Sequence, residues 1–581
     1  MNELSGLGAT LLCALSLLAV GGCGPRVLPT ERVPASPERH STSVPAARAP
    51  ADADWFEDVT SRTGIDFAYR NGREGGHYTI LETVGGGAAV FDYDGDGDLD
   101  IFIVGGGDIG KDDLKITGRS GRLYRNDGDW KFADVTAGSG LDAAPRYSHG
   151  CAVADYDRDG APDLLVTGYG GCSLYRNLGG GRFQDVAQEL GLPQAGWFTA
   201  AAWGDIDHDG RPDLYLASYL DWKPDPHEWC GNRAEGLRDV CPPQDYHDAP
   251  DRLFRNAEGR FEDITAQAGL RTDGKGLGVV AADLNLDGWL DFYVANDAGP
   301  NFLYLGQPDL HFEEVGLAAG VAMNELGAPE GSMGVDCGDF DGDGLPDIFV
   351  ANFELEDNSL YRNLGQGRFV HATTSAGLGG IGRLWVGFGA GFVDFDTDGW
   401  LDLYVSNGNV YYRGGQSDYL QPPLLLQNDR GRFRDASSQA APYFSTPHAG
   451  RGVAAGDLDG DGAPDLVFVH QNDPVVILRN RRTPAKWLGV RLQGTRADRE
   501  AIGARLIVRT GERELVRFVR SGAGYLSQSD HAVRFPLAAD QASAAVDVVW
   551  PGNHRERFAE LQSNRVHLLT EGEGEPVAHE N

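Results

Sequence analysis

Seven nine-residue stretches of the chain carry oxygen-bearing side chains at places 1, 3, 5 and 9 and glycine at place 6. The first is Asp92-Tyr-Asp94-Gly-Asp96-Gly97-Asp98-Leu-Asp100. The others begin at Asp155, Asp205, Asp283, Asp339, Asp394 and Asp457. Place 3 holds Asp94, Asp157, Asp207, Asn285, Asp341, Asp396 and Asp459. Place 5 holds Asp96, Asp159, Asp209, Asp287, Asp343, Asp398 and Asp461. Place 9 is always aspartate: Asp100, Asp163, Asp213, Asp291, Asp347, Asp402 and Asp465. This spacing can wrap one hard cation, and Ca²⁺ accepts six to eight oxygens at about 2.3–2.6 Å in irregular geometry. Place 7 varies through Asp98, Ala161, Arg211, Trp289, Leu345, Trp400 and Ala463, as expected where only the backbone carbonyl is a ligand. Glycine at place 6 permits the sharp reversal that aims the oxygens inward. There is no glutamate at place 12, and apolar β-formers follow instead of a helix, so the loops are not EF-hands. About seven structural Ca²⁺ ions are expected.

Each loop must be positioned by the strands around it. One unit runs: a strand of small apolar residues, the acidic loop, a β-branched strand such as Ile101-Phe-Ile-Val104, then Leu-Tyr-Arg-Asn, then Phe-x-Asp-Val-Thr. The third element appears as Leu123-Tyr-Arg-Asn126, Leu174-Tyr-Arg-Asn177 and Leu360-Tyr-Arg-Asn363; the fourth as Phe132-Ala-Asp-Val-Thr136. Four short strands repeated every ~50–78 residues predict the blades of a β-propeller. A β-solenoid is the alternative, with usually shorter repeats. The seventh unit lacks its fourth element, and a spare copy, Phe56-Glu-Asp-Val-Thr60, precedes the first. The expected fold is all-β: a seven-bladed propeller over 55–482, its last blade closed by the N-terminal strand, plus a small C-terminal β domain.

The repeats resemble FG-GAP/VCBS repeats, the class found in integrin α-subunit propellers. Downstream, Trp487-Leu-Gly-Val-Arg-Leu492, Ala501-Ile-Gly-Ala-Arg505, Ser521-Gly-Ala-Gly-Tyr-Leu-Ser-Gln528 and Val546-Asp-Val-Val-Trp-Pro-Gly552 are similar to the ASPIC/UnbV domain. That domain follows FG-GAP propellers in the cartilage acidic protein family and in many exported bacterial proteins. The resemblance implies the architecture, with this domain over 483–572 and a tail over 573–581, and leaves the activity open.

The chain has 581 residues and a formal net charge of −36, which argues against nucleic acid as a partner. Residues 1–22 read as a signal peptide, with an apolar run too short for a comfortable membrane span. Val20-Gly-Gly-Cys23 resembles a bacterial lipobox, which would make Cys23 the lipidated N-terminus; a plain cleaved signal or an uncleaved anchor is the alternative. A Pro/Ala/Ser/Arg-rich linker runs to residue 54. The expected location is the cell envelope, outer-membrane-anchored or periplasmic/extracellular, with membrane contact only through the lipid. The protein is expected to be a monomer.

In a four-stranded blade the acidic loops all fall on one rim, and the long insertions, 104–121, 218–251 and 406–424, fall on the opposite one. Variable loops on a rigid scaffold are where binding usually lies. Residues entering the first strands, Tyr147, His149, Trp197, Lys275, Met333, Trp385 and His448, are expected to ring the axis there and meet a protein or glycan partner, or else to be loop packing. Within 218–251, Cys230 and Cys241 are expected to form a disulfide in an oxidising compartment; a zinc site with His227 and His247 is the alternative. Cys151, Cys172 and Cys337 read as buried thiols. No nucleophile elbow, His-Glu-x-x-His helix or P-loop is present. The leading expectation is a calcium-stabilised binding protein without catalytic residues. The alternative is a polysaccharide lyase or hydrolase with an axial site near His149, Lys275 and His448.

Overall fold

The computed structural model describes residues 54–413 and 415–577. The expected leader, Cys23 and nearly all of the linker lie outside the described residues. Seven sheets carry four antiparallel strands in the order inner, second, third, outer. The inner strands are Ala88–Phe91, Tyr147–Ala154, Phe198–Gly204, Gly276–Ala282, Val335–Gly338, Gly387–Val393 and Gly450–Gly456. They are buried almost throughout, which suits their small side chains. The outer strand of the seventh sheet is Phe56–Asp58, with Phe56 opposite Asn480 and Asp58 opposite Leu478. Successive inner strands touch around the whole circuit, and Ala88–Phe91 touches Gly450–Gly456, so the ring is closed.

The asparagine ending the third strand joins neighbouring sheets. Asn177 Nδ2 donates to Pro162 O in its own loop and to Tyr93 O in the preceding one. Asn256 reaches Tyr156 O, Asn363 reaches Leu284 O, Asn428 reaches Phe340 O and Asn480 reaches Phe395 O. Asn126 donates to Leu458 O and so links the first sheet to the seventh. The fourth sheet has Gly306 at this position and lacks that staple.

The C-terminal region folds as two further sheets. One orders Val533–Pro536, Trp487–Gln493 and Val566–Thr570; the other orders Arg513–Phe518, Arg505–Thr510, Ser543–Val549, Arg555–Gln562 and Glu575–Pro576. The expected tail beginning at 573 is corrected in part: Glu575–Pro576 pairs with Glu556 and Arg557, because the backbone of that edge strand offers unpaired groups.

The segment from Arg520 to Asp530 enters the propeller axis and meets all seven inner strands. Ser521 exchanges backbone bonds with Ala281, Gly524 with Val335, and Gln528 with Ala88 and Val90. Cys151 N donates to Leu526 O, Asp530 N to Ala455 O, and Trp203 N to Ser521 Oγ at 3.0 Å. Tyr525 packs edge-on against Phe388 at 5.1 Å. Small residues in and just before the inner strands make room: a Cβ on Gly87 would lie 1.9 Å from Leu526 O. Gly522 and Gly524 take positive φ of 78° and 94°, which explains the Ser-Gly-Ala-Gly motif.

Replacing Asn363 with alanine would strand the buried carbonyls of Leu284 and Pro346. At about 1–3 kcal/mol per unsatisfied buried group, urea denaturation should show a loss of about 2–3 kcal/mol. A change below about 0.5 kcal/mol would contradict the staple.

Candidate functional site

The acidic loops divide their carboxylates between two tasks. Place 9 holds the turn together. Asp163 accepts the amides of Tyr156 and Asn177, at 3.2 and 2.7 Å. Asp100, Asp213, Asp291, Asp347, Asp402 and Asp465 do the same, accepting one amide from place 2 and one from the third strand. Place 1 accepts the amide of the place-6 glycine: Gly97 to Asp92, Gly160 to Asp155, Gly210 to Asp205, Gly288 to Asp283, Gly344 to Asp339, Gly399 to Asp394 and Gly462 to Asp457.

Places 3 and 5 face a cation of the protein's own in four loops. Arg176 pairs with Asp157 at 2.7 Å and Asp159 at 3.2 Å, and Arg479 with Asp459 at 2.8 Å and Asp461 at 3.3 Å. Arg255 and Arg362 repeat the arrangement. In the sixth loop Gln427 donates to Asp396; in the first, Arg125 turns to Asp127.

The other oxygen of place 3 points elsewhere. Oδ1 of Asp341, Asp396 and Asp459 is buried without a hydrogen-bond partner. Such an atom is costly to leave unpaired. Ligand oxygens converge within 4.8 Å of one another in sets that include Asp92, Asp94 and Asp96; Asp155, Asp157 and Asp163; Asp205, Asp207 and Asp213; and Asp339, Asp341 and Asp347. An all-oxygen donor set with orphaned inward atoms fits a hard divalent cation. Burial and then neighbouring charges explain the raised pKa values: Asp100 goes to about 8, Asp163 to about 9 and Asp205 to about 7. Burial first, then the Asp398 and Asp396 charges against the Arg517 pull, hold Asp394 near 7. Asn285 Oδ1 accepts the Asp287 amide while its Nδ2 donates to the same residue, so the fourth loop offers one fewer charge at place 3.

The C-terminal domain covers this rim. Arg499 reaches Asp155 and Arg534 reaches Asp457, both at 3.3 Å, and Arg517 lies 3.9 Å from Asp394. Arg513 donates to Asp398 O and Gly552 N to Gly288 O. Arg520 pairs with buried Asp336, which also accepts the Phe392 amide at 2.8 Å. None of these arginines was singled out by sequence reasoning, since an arginine on an unplaced domain carries no signal of its target.

On the opposite rim the insertions meet one another. Cys230 and Cys241 are disulfide-bonded. Asp239 accepts the amides of Tyr412 and Arg413, which ties 218–251 to 406–424, and Arg413 lies over the Tyr78 ring. The expected ring of partner-contacting residues is corrected here. Tyr147, His149, Trp197 and Met333 are buried, because the insertions and the N-terminal segment cover them. Tyr147 donates to Asn71 O, and Trp197 packs against His149, Tyr219 and Trp222. Lys275, Trp385 and His448 are half-buried. Lys275 Nζ donates to Pro243 O and lies 3.4 Å from Asp248; His448 stacks on both Tyr443 and His470. His149, Lys275 and His448 thus have three separate sets of partners. Burial lowers the pKa of both His149 and His448 to about 3, leaving them uncharged at neutral pH. Cys151, Cys172 and Cys337 are buried free thiols.

Against known families, residues 92–166, 155–216, 240–294, 283–350 and 339–405 match the FG-GAP-like repeat. The chain belongs to the FG-GAP-like repeat family. Residues 494–576 match the ASPIC and UnbV domain, whose Ser521–Gln528 motif is the axial segment. Similar proteins include cartilage acidic protein 1 of mouse, 26% identical over 70% of each chain, and of the frog Xenopus tropicalis, 25% identical over 70% of each. Solved structures similar in fold include an Agrocybe aegerita lectin described as recognising non-reducing terminal N-acetylglucosamine, with TM-score 0.37 and 17% identity over 63% of this chain and 84% of that one. Another is YCF48 bound to D1 peptide, with TM-score 0.39 and 10% identity over 75% and 98%.

Removing Arg520 leaves Asp336 a buried carboxylate without its counter-charge, a change worth about 3–5 kcal/mol. Arg520→Ala should make the chain susceptible to limited proteolysis near 481–486, where the C-terminal domain begins. An unchanged digestion pattern and melting temperature would contradict this role.

Proposed function

We propose that the protein is an exported β-propeller that binds Ca²⁺ in its acidic loops and a protein or glycan partner on its insertion rim, with no chemistry of its own. The observation that carries this reading is the division of faces. The C-terminal domain covers the loop rim and its Arg520–Asp530 segment fills the axis, so the face built from insertions is the one left for a partner. In this reading calcium is structural. Places 1 and 3, the carbonyl of place 7 and the carboxylates of places 5 and 9 would hold it, and the metal would supply the positive charge that the orphaned oxygens lack. Export, lipidation at Cys23 and monomeric state belong to the same proposal, as does the exclusion of nucleic acid by the strongly negative charge.

Two measurements test it. Chelation should lower the melting temperature markedly, since a site with a dissociation constant about 100-fold below ambient Ca²⁺ adds about 2.7 kcal/mol. Asp341→Asn should remove part of the calcium-dependent gain and leave the chelated melt nearly unchanged, whereas Asp347→Asn should destabilise the protein in both conditions. An unchanged melt in excess chelator would refute structural calcium. A glycan and protein array in calcium should give a binder that Arg413→Ala and Tyr78→Ala weaken at least tenfold; binding indifferent to both would move the site off this rim.

A further inference from the structure

We propose that the cavity beneath the insertions is a binding site for a small organic ammonium ion carrying an apolar body. This goes beyond the macromolecular partner proposed above and does not depend on it. The cavity measures about 270 Å³, near the small end of ligand sites at about 300–1,000 Å³. It lies where the fourth, fifth and sixth sheets meet the insertions 218–251 and 406–424. Its walls include Met333, Phe353, Phe388 and Tyr411. The exposed Gln244 and Pro329 also line it, so it is open to solvent.

Three carboxylates share the cavity: Asp297, Glu330 and Glu356. Each is held in place. Tyr219 donates its hydroxyl to Asp297 at 2.5 Å. Asn352 and Ser359 donate to Glu330 at 2.8 and 2.7 Å. The amides of Gly331 and Phe353 donate to Glu356 at 2.8 and 3.2 Å. Among the described residues none of the three forms an ion pair. Lys275, the nearby cation, is turned to Pro243 O and Asp248. Arg451 lies over the Phe388 ring and donates to the carbonyls of Thr83, Gly408, Gly450 and Asn409 and to Gln471.

Positioned acceptors without an ion-pair partner, set among aromatic rings, are what recognises an organic ammonium ion: the carboxylates take the charge, and ring faces attract it as well. An anion would meet three acids, and a neutral apolar ligand would leave them desolvated and unpaired. The raised pKa values agree with this. Burial pushes Glu356 to about 7, and pushes Asp297 to about 6 against the pull of the Tyr219 hydroxyl and the Lys275 charge.

The test is calorimetric titration of the calcium-loaded protein with phenethylammonium and, in parallel, with its neutral counterpart 2-phenylethanol. The expected result is saturable one-to-one binding of the cation, at least tenfold tighter than of the alcohol. Glu356→Gln should weaken the cation at least tenfold, and Val410→Phe, which fills the cavity from a half-buried position, should abolish it, both with melting temperatures near that of the parent. No saturable binding, equal binding of cation and alcohol, or full binding by folded Val410→Phe would overturn the proposal. The comparison of the two ligands on the parent protein decides the matter even where a variant fails to fold.

Discussion

The ninth-place aspartate is the interaction on which the rest of the structure depends. Seven times it sits buried at the start of a second strand and accepts one amide from the loop and one from the third strand. Each such hydrogen bond contributes about 0.5–3 kcal/mol, and these also fix where the third strand ends. That register delivers the asparagine at its end to the carbonyl of the preceding loop. Six of the seven junctions between neighbouring sheets therefore carry an asparagine that reaches the loop of the sheet before.

With the ring set, the C-terminal domain is an integral part rather than an appendage. Its axial segment supplies backbone partners for inner-strand amides that a bare propeller would present to water. Its arginines answer place-1 carboxylates on three loops, at Asp155, Asp394 and Asp457. The proposed calcium and these arginines then divide the same negative charge, cation on the inside of the loop and guanidinium on the outside. One consequence is directional: the rim with the densest charge is the covered one.

The legible part of the sequence was whatever repeats. Loop spacing, Leu-Tyr-Arg-Asn, and the displaced Phe56-Glu-Asp copy led to four-stranded sheets and to Phe56–Asp58 pairing with the last one. The pairing of Cys230 with Cys241 is expected from an oxidising compartment, with zinc as the alternative, and the two are disulfide-bonded. The single-copy features were not legible. Tyr147, His149 and Trp197 look like rim aromatics by position, yet they are buried because segments far off in sequence fold over them, and nothing local reports that. The small residues in and just before the inner strands, such as Gly150 and Gly87, are a usable hint that something enters the axis; their meaning needs the placement of Gly522 and Gly524. The spacing marks place 9 as a metal ligand alone, and its two amide bonds emerge only once the strands are paired.

The central claim, that these loops are cation sites built into the fold, is tested most directly by counting metal. Protein equilibrated with calcium and passed through a desalting column should retain about seven Ca²⁺ per chain by elemental analysis, with the Asn285 loop the first to empty as free calcium falls. One ion or none per folded chain at millimolar calcium would contradict the account.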